Sequence, residues 1–130
     1  MALMSYREAN HVQWQGSRPA HDGTQVWAYA SIINADWPVY TVGVGETLFL
    51  CECFLNSVGN ITGTCSLALF TGLWAFQRYL CMCDTIADVQ IQKDHCTFWP
   101  PLEVPAGYII GVNSNALGLT AHGQIFGWRE

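Results

Sequence analysis

The segment Val104–Ser114 predicts a strand, a tight turn and a second strand. Pro105 holds the backbone angle that opens a turn, and Gly107 can adopt the positive φ that closes it. The alternating apolar residues after the glycine are typical of a strand. The same pattern occurs 62 residues earlier in Val42–Leu50, where Gly45 corresponds to Gly107. Two equivalent corners predict a two-sheet β-sandwich, because each would let the chain pass between packed sheets.

The rest of the chain alternates short apolar segments with turn residues and shows no convincing amphipathic helix. Strands that recur at roughly 8 to 12 residue intervals are typical of a sandwich or jelly roll. We therefore expect an all-β, antiparallel fold of eight or nine strands. The candidate segments from which these eight or nine strands are drawn are Gln25–Ile33, Val39–Val42, Thr47–Val58, Thr64–Thr71, Ala75–Cys83, Val89–Gln92, Cys96–Trp99, Leu102–Val104, Tyr108–Asn113 and Leu119–Trp128.

Three turn signals refine this outline. Gly59 and Asn60 form a two-residue hairpin signal between two strand segments, and Lys93 with Asp94 predicts a further turn. Pro100 and Pro101 cannot occupy the middle of a sheet, so they mark an edge or a crossover.

The composition predicts association with other chains. Apolar residues make up 51% of the 130 residues and charged residues 12%, about half the quarter that is usual in soluble domains. A monomer of one domain needs a polar surface, so we expect part of the apolar surface to be covered by other subunits. The net charge of -5, with Lys93 as the single lysine, leaves no basic stripe for nucleic acid or an anionic membrane.

Residues 1–24 show neither strand nor helix periodicity and predict an extended N-terminal arm before a domain over residues 25–130. Isolated apolar side chains in this arm are expected to anchor it on a partner; they are Leu3, Tyr6, Val12 and Trp14. The N-terminus lacks a basic region followed by an apolar run, and no stretch is long and apolar enough to span a membrane. We therefore expect synthesis and folding in a cytoplasm.

Six cysteines raise three alternatives: a metal site, disulfides or buried thiols. Residues two apart share a strand face, so Cys51 with Cys53 and Cys81 with Cys83 could present four thiolates to zinc. A Cys-x-Cys pair along a flat strand is poor zinc geometry, however. Buried free thiols are favoured in a cytoplasmic chain, and disulfides remain open.

Catalytic and calcium sites find little support. His95 adjoins Cys96, but neighbouring strand residues point to opposite faces and cannot form a nucleophile and base dyad. A cupin-type enzyme would need a His-x-His pair, which the four histidines do not form. Asp84, Asp88 and Asp94 are too widely spaced for a calcium loop.

Six tryptophans could fill the core and subunit interfaces or could form a platform on which sugars stack. Trp74 follows a glycine break and Trp99 precedes the double proline, so these two are the candidates for exposed aromatic side chains.

The segments Thr41–Leu50 and Pro101–Tyr108 resemble the strand corners of small β-sandwich structural proteins of tailed bacteriophages. The resemblance extends over about Trp37–Trp128 and, in build, is greatest to capsid decoration, or cement, proteins. It implies a jelly-roll domain, often trimeric, with an extended arm that grips the shell, and it carries no catalytic residues. The six cysteines are not part of that pattern.

Together these features predict a virion structural protein on the capsid exterior that bridges capsomers as an oligomer, with itself and the major capsid protein as partners. We expect a homotrimer, no enzymatic activity, no cofactor, no nucleic acid and no membrane. The alternative is a glycan- or receptor-binding tip domain of a phage tail fibre.

Overall fold

The computed structural model describes residues 23–86 and 91–130, which form an antiparallel β-sandwich of eight strands. No helix occurs among these residues, so none of them forms an apolar helix that could cross a membrane. The strands are β1 (Thr24–Ile33), β2 (Asp36–Thr41), β3 (Leu48–Val58), β4 (Gly63–Phe70), β5 (Phe76–Thr85), β6 (Ile91–Val104), β7 (Ile109–Ser114) and β8 (Thr120–Arg129).

The strand order is that of a jelly roll. Sheet A has the order β1-β8-β3-β6 and sheet B the order β2-β7-β4-β5. The chain forms one long antiparallel hairpin whose bend lies between β4 and β5. Its paired strands are β1 with β8, β2 with β7, β3 with β6 and β4 with β5. Further pairing of β3 with β8 and of β4 with β7 joins the wrapped hairpin into two sheets. The predicted all-β fold is confirmed.

The two corners predicted from the sequence lie side by side. Gly45 has a φ of 78° and Gly107 a φ of 86°, as the turn pattern required. The first corner leads from β2 in sheet B to β3 in sheet A, and the second leads from β6 in sheet A to β7 in sheet B. The amide of Gly107 donates to the carbonyl of Val42 at 2.8 Å, and the amide of Val42 donates to the carbonyl of Tyr108 at 2.9 Å.

The core lies between the sheets and follows the period-2 alternation of the strands. On β3, alternate residues such as Leu48 and Leu50 are fully buried, and a bulge near Cys51 shifts the alternation before Cys53 and Leu55. The cross-sheet partners on β4 and β7 are also aliphatic. They are Leu67, Leu69, Ile110 and Val112.

Two turn predictions were wrong. The hairpin at Gly59 and Asn60 does not exist, because β3 belongs to sheet A and β4 to sheet B, so this connection crosses the sandwich. Lys93 and Asp94 form no turn either, since they pair with Asn56 and Leu55 inside β6. From Ile91 onward, the three short strands predicted between residues 89 and 104 are one strand of 14 residues, which pairs along β3. Val89 and Gln90 lie outside the described residues.

The double proline marks a sheet edge as predicted. The strand β6 pairs with β3 alone, and its register against β3 is interrupted between the partners Thr97 and Leu102, the interval that contains Pro100 and Pro101. Prolines lack the amide hydrogen for ladder pairing, so the break falls where they stand.

Candidate functional surfaces

One half of the outer face of sheet A is aromatic and carries no formal charge. Its β1 side chains alternate outward, with Trp27 64%, Tyr29 57% and Ile33 49% exposed. On the neighbouring β8, Phe126 packs edge-on against Trp27 at 5.4 Å between ring centres. The ring of His122 stacks on Tyr29, whose hydroxyl lies 2.7 Å from Nδ1 of the histidine. We call these five residues the aromatic face.

The other half of the same outer surface, on β3 and β6, carries charge. His95 stacks on Phe54 with 4.4 Å between ring centres and an interplanar angle of 3°. Nε2 of His95 lies 3.4 Å from a carboxylate oxygen of Glu52. Both partners are partly exposed, so solvent screens this pair and it contributes little to stability.

The outer face of sheet B holds a groove of about 280 Å³. The register places Asp36, Asn113 and Ser66 in one row across β2, β7 and β4. Ala68 forms the next step of the floor and is buried, although it points away from the core. The groove is lined by Asp36, Ser66, Ala68, Phe70, Phe76, Tyr79 and Asn113.

The wall of the groove is a chain of touching aromatic rings. Phe70 meets Phe76 at 6.2 Å between ring centres, and Phe76 meets Tyr79 at 4.7 Å. Trp74 extends the wall in the β4–β5 connection, 5.0 Å from Phe70. Gly111 of β7 lies beneath these rings, since a Cβ there would stand 2.7 Å from the Trp74 ring. The absence of a side chain at Gly111 therefore allows the Trp74 ring to pack directly against the backbone of β7.

The opposite end of the groove is polar and presents acceptors. The side-chain amide of Asn113 donates to a carboxylate oxygen of Asp36 at 2.8 Å and to the carbonyl of Ala35 at 3.4 Å. Both amide hydrogens are thus used, which leaves the amide oxygen of Asn113 and the second oxygen of Asp36 as acceptors. Of the lining residues that the structure describes, Asp36 alone carries a formal charge.

The four cysteines considered for zinc do not converge. Cys53 and Cys81 lie in the core cluster, where the Cys81 thiol points to the carbonyl of Cys53 at 3.7 Å. The Cys83 thiol points instead to the carbonyl of Leu55 at 3.8 Å, and Cys51 lies at the β3 bulge outside that cluster. Within the described residues none of the six cysteines forms a disulfide, and no three His, Cys, Asp or Glu side chains are grouped as metal ligands.

Four of the thiols have raised pKa values, those of Cys53, Cys65, Cys83 and Cys96. Contact with the Cys81 thiol and burial together raise the pKa of Cys53 far above its usual range. Burial raises the pKa of Cys65 to about 11 and that of Cys83 to about 11. Burial also raises the pKa of Cys96, which faces Cys53 across the β3–β6 ladder. Neutral thiols are poor nucleophiles and poor metal ligands, so these side chains act as small apolar groups.

The remaining predicted site residues fall in separate places. Leu3, Tyr6, Val12 and Trp14 lie outside the described residues. Trp74 is 38% exposed beside the groove, whereas Trp99 is 43% exposed on β6 of the other sheet, so the two form no common platform.

The sequence reasoning missed the groove. Its lining comes from β2, β4, β5 and β7 and is spread over residues 36 to 113, so no local pattern marks it. One usable signal was Gly111 inside the apolar run of β7, because a glycine within a strand often marks the close approach of another group.

Comparison with protein-family models and with curated proteins finds no match. Among solved structures, the fold is similar to that of a chain in the acid-stable capsid of Helicobacter pylori bacteriophage KHP30. The TM-score is 0.57 at 10% identity, over 80% of this chain and 86% of that one. A pentameric capsid protein from metagenomic phage sequences has a TM-score of 0.42 at 11% identity, over 100% of this chain and 77% of that one. At 10% identity, the KHP30 likeness shows a shared fold.

Proposed function

We propose that this protein is a structural component of a virion, a capsid decoration protein that self-associates and bridges subunits of the shell. The observation that carries the proposal is the aromatic face, where large exposed side chains stand together with no charge among them. Monomeric proteins rarely leave such a patch in water, and its burial would stabilise an assembly. The jelly-roll fold, shared with a chain of a phage capsid, supports this role.

Self-association is assigned to contacts of the aromatic face with a second copy of the chain, in a homotrimer. Trp27 and Tyr29 project from an edge strand, so a neighbouring subunit can reach them without displacing another strand of the sheet. Aromatic side chains of this size contribute most of the energy at typical interfaces.

The oligomeric state tests this assignment. Native mass spectrometry and light scattering of the full chain should give a trimer, and Trp27→Ser with Tyr29→Ser should give a folded monomer. Leu117→Ser removes a residue that is 78% exposed outside the aromatic face, and this control should leave the trimer intact. A monomeric parent protein at high micromolar concentration would refute the proposal.

Attachment to the shell is assigned to the N-terminal arm together with the trimer. In a trimer each arm adds a weak contact, and simultaneous binding of three arms multiplies the affinity. The deletion that tests this should end at residue 22, because Thr24 already pairs with Arg129 in β1 and β8. We expect the truncated trimer to fold but to bind purified shells more weakly. Unchanged attachment would remove the arm from the mechanism.

A further inference from the structure

The groove on sheet B has the two-sided character of a small-molecule site. One wall is the ring chain Phe70, Phe76 and Tyr79, and the other end presents oxygen acceptors from Asp36 and Asn113. The volume of about 280 Å³ lies near the lower end of the roughly 300 to 1,000 Å³ that small-molecule sites span. A compact ligand, or a short segment of a polymer, is the size that fits.

The chemistry of the lining restricts the class of ligand. The acceptor oxygens would bind a ligand that donates hydrogen bonds along one edge. The aromatic rings would pack against an apolar face of the same ligand. Phosphates and other anions do not fit, because Asp36 is the only charged residue among the described residues of the lining and would repel them. A saccharide fits both demands, since its hydroxyl groups donate and the C–H face of its ring packs on aromatic rings.

The exposure of the rings agrees with an open site. Phe76 is 51% and Tyr79 53% exposed, so a ligand reaches their faces without a rearrangement. Ser66 and Ala68 keep the floor low between the two ends, and larger side chains there would fill the groove.

We propose that the groove on sheet B binds carbohydrate, with one or two sugar rings packed on Phe76 and Tyr79 and their hydroxyl groups donating to Asp36 and Asn113. This adds a binding activity to the proposed structural role and does not depend on it. A glycan site on an assembled particle would let the particle adhere to polysaccharide surfaces.

The experiment applies the full-length protein to an array of short hexose, N-acetylhexosamine and deoxyhexose oligosaccharides, followed by calorimetric titration with the retained oligosaccharides. Tetramethylammonium chloride is the competing probe, because a carboxylate beside aromatic rings also suits an organic cation. We expect saturable binding of at least one oligosaccharide and none of tetramethylammonium.

Variants then locate the binding. Tyr79→Ala and Asp36→Ala should each weaken it by about tenfold or more, because they remove the stacking ring and the acceptor. Tyr79→Phe keeps the ring and Trp27→Ala lies on the other sheet, so both should bind as the parent does. Asp36→Asn removes the charge and puts a donating amide nitrogen in place of the free acceptor oxygen. It should weaken sugar binding, but less than Asp36→Ala does, because a sugar hydroxyl group can accept from that nitrogen.

Three results would overturn the proposal. They are the absence of any oligosaccharide binding by the intact protein, equal binding by Tyr79→Ala, and binding of tetramethylammonium that Asp36→Asn abolishes. If the groove binds no carbohydrate, the proposed trimer formation and shell attachment are unaffected. The two proposals can therefore be refuted independently.

Discussion

Val42 and Gly107 join the two corners of the sandwich through a hydrogen bond of 2.8 Å from the glycine amide to the valine carbonyl. The residues are 65 positions apart in the chain, yet each belongs to a turn of the same design. Because both corners carry the chain between the sheets at the same place, their backbones can pair and close this end of the sandwich.

Replacing Gly107 by alanine should destabilise the protein through the backbone alone. A Cβ at Gly107 would meet nothing within 4 Å, so the penalty is that of a φ of 86° for an L-residue, about 1 to 2 kcal/mol. Gly107→Asn should cost less, since asparagine tolerates this region better. Urea unfolding of the three proteins measures the difference; an asparagine variant less stable than the alanine variant would contradict the backbone explanation.

Gly127→Ala should be far more damaging, for a steric reason. A Cβ on this β8 residue would collide with the carbonyl oxygen of Phe49 and stand 3.1 Å from the Cα of Leu50. Both obstacles are backbone atoms of β3, which cannot rotate away, so we expect a loss of about 3 kcal/mol or failure to fold. Gly45→Ala is the control, because a Cβ there would meet nothing within 4 Å. This variant should lose only the stability that the positive φ costs an L-residue. Similar thermal midpoints for the two variants would disprove the close approach of β8 to β3.

Two buried serines should respond differently to alanine. The hydroxyl of Ser114 donates to the carbonyl of Leu119 at 2.5 Å. Ser114→Ala would leave this buried carbonyl without that hydrogen bond, at a cost of about 1 to 3 kcal/mol. The hydroxyl of Ser57 has no nitrogen or oxygen partner among the described residues and lies against the thiols of Cys65 and Cys83. Ser57→Ala should therefore be neutral or slightly stabilising in chemical denaturation. A loss as large as that of Ser114→Ala would show that the contact with the thiols is worth a full hydrogen bond.

Stability should fall at alkaline pH because of the core thiols. The pKa of Cys65 and that of Cys83 are about 11 in the folded protein, against an ordinary value of 9.0. Between these values the unfolded chain releases protons that the folded chain keeps, so unfolding is favoured as the pH rises from about 9 towards 11. Each thiol contributes on the order of 2 kcal/mol to this loss, and below pH 9 the two have no effect.

The measurement is the free energy of unfolding in urea, under a reducing agent, across this pH range. A Cys65→Ala and Cys83→Ala double variant starts from lower stability, because it leaves a cavity, but its stability should decline less steeply with pH. Parallel declines in the parent and the variant would show that other groups cause the effect.

The local sequence was sufficient for the parts of the fold that local geometry controls. Gly45 and Gly107 had to occupy positive φ whatever lay around them, and the alternation of apolar residues identified β1, β3 and β8 within a residue or two. The local sequence gave wrong predictions where the pairing of a strand with distant strands determines the structure. Gly59 and Asn60 have hairpin chemistry, but β3 and β4 each pair with strands from elsewhere in the chain, so the hairpin does not form.

Sequence by itself therefore determined an all-β sandwich with two equal corners, because turn residues and period-2 patterns act over a few positions. Only the tertiary structure decided the order of the strands, and with it the functional surfaces. Asp36, Ser66 and Asn113 are remote in the chain and meet because β2, β4 and β7 lie in one sheet. Trp27 and Phe126 likewise form one aromatic face because the first and last strands pair. Such contacts depend on long-range strand pairing, whose register is set by burial of one face of each sheet.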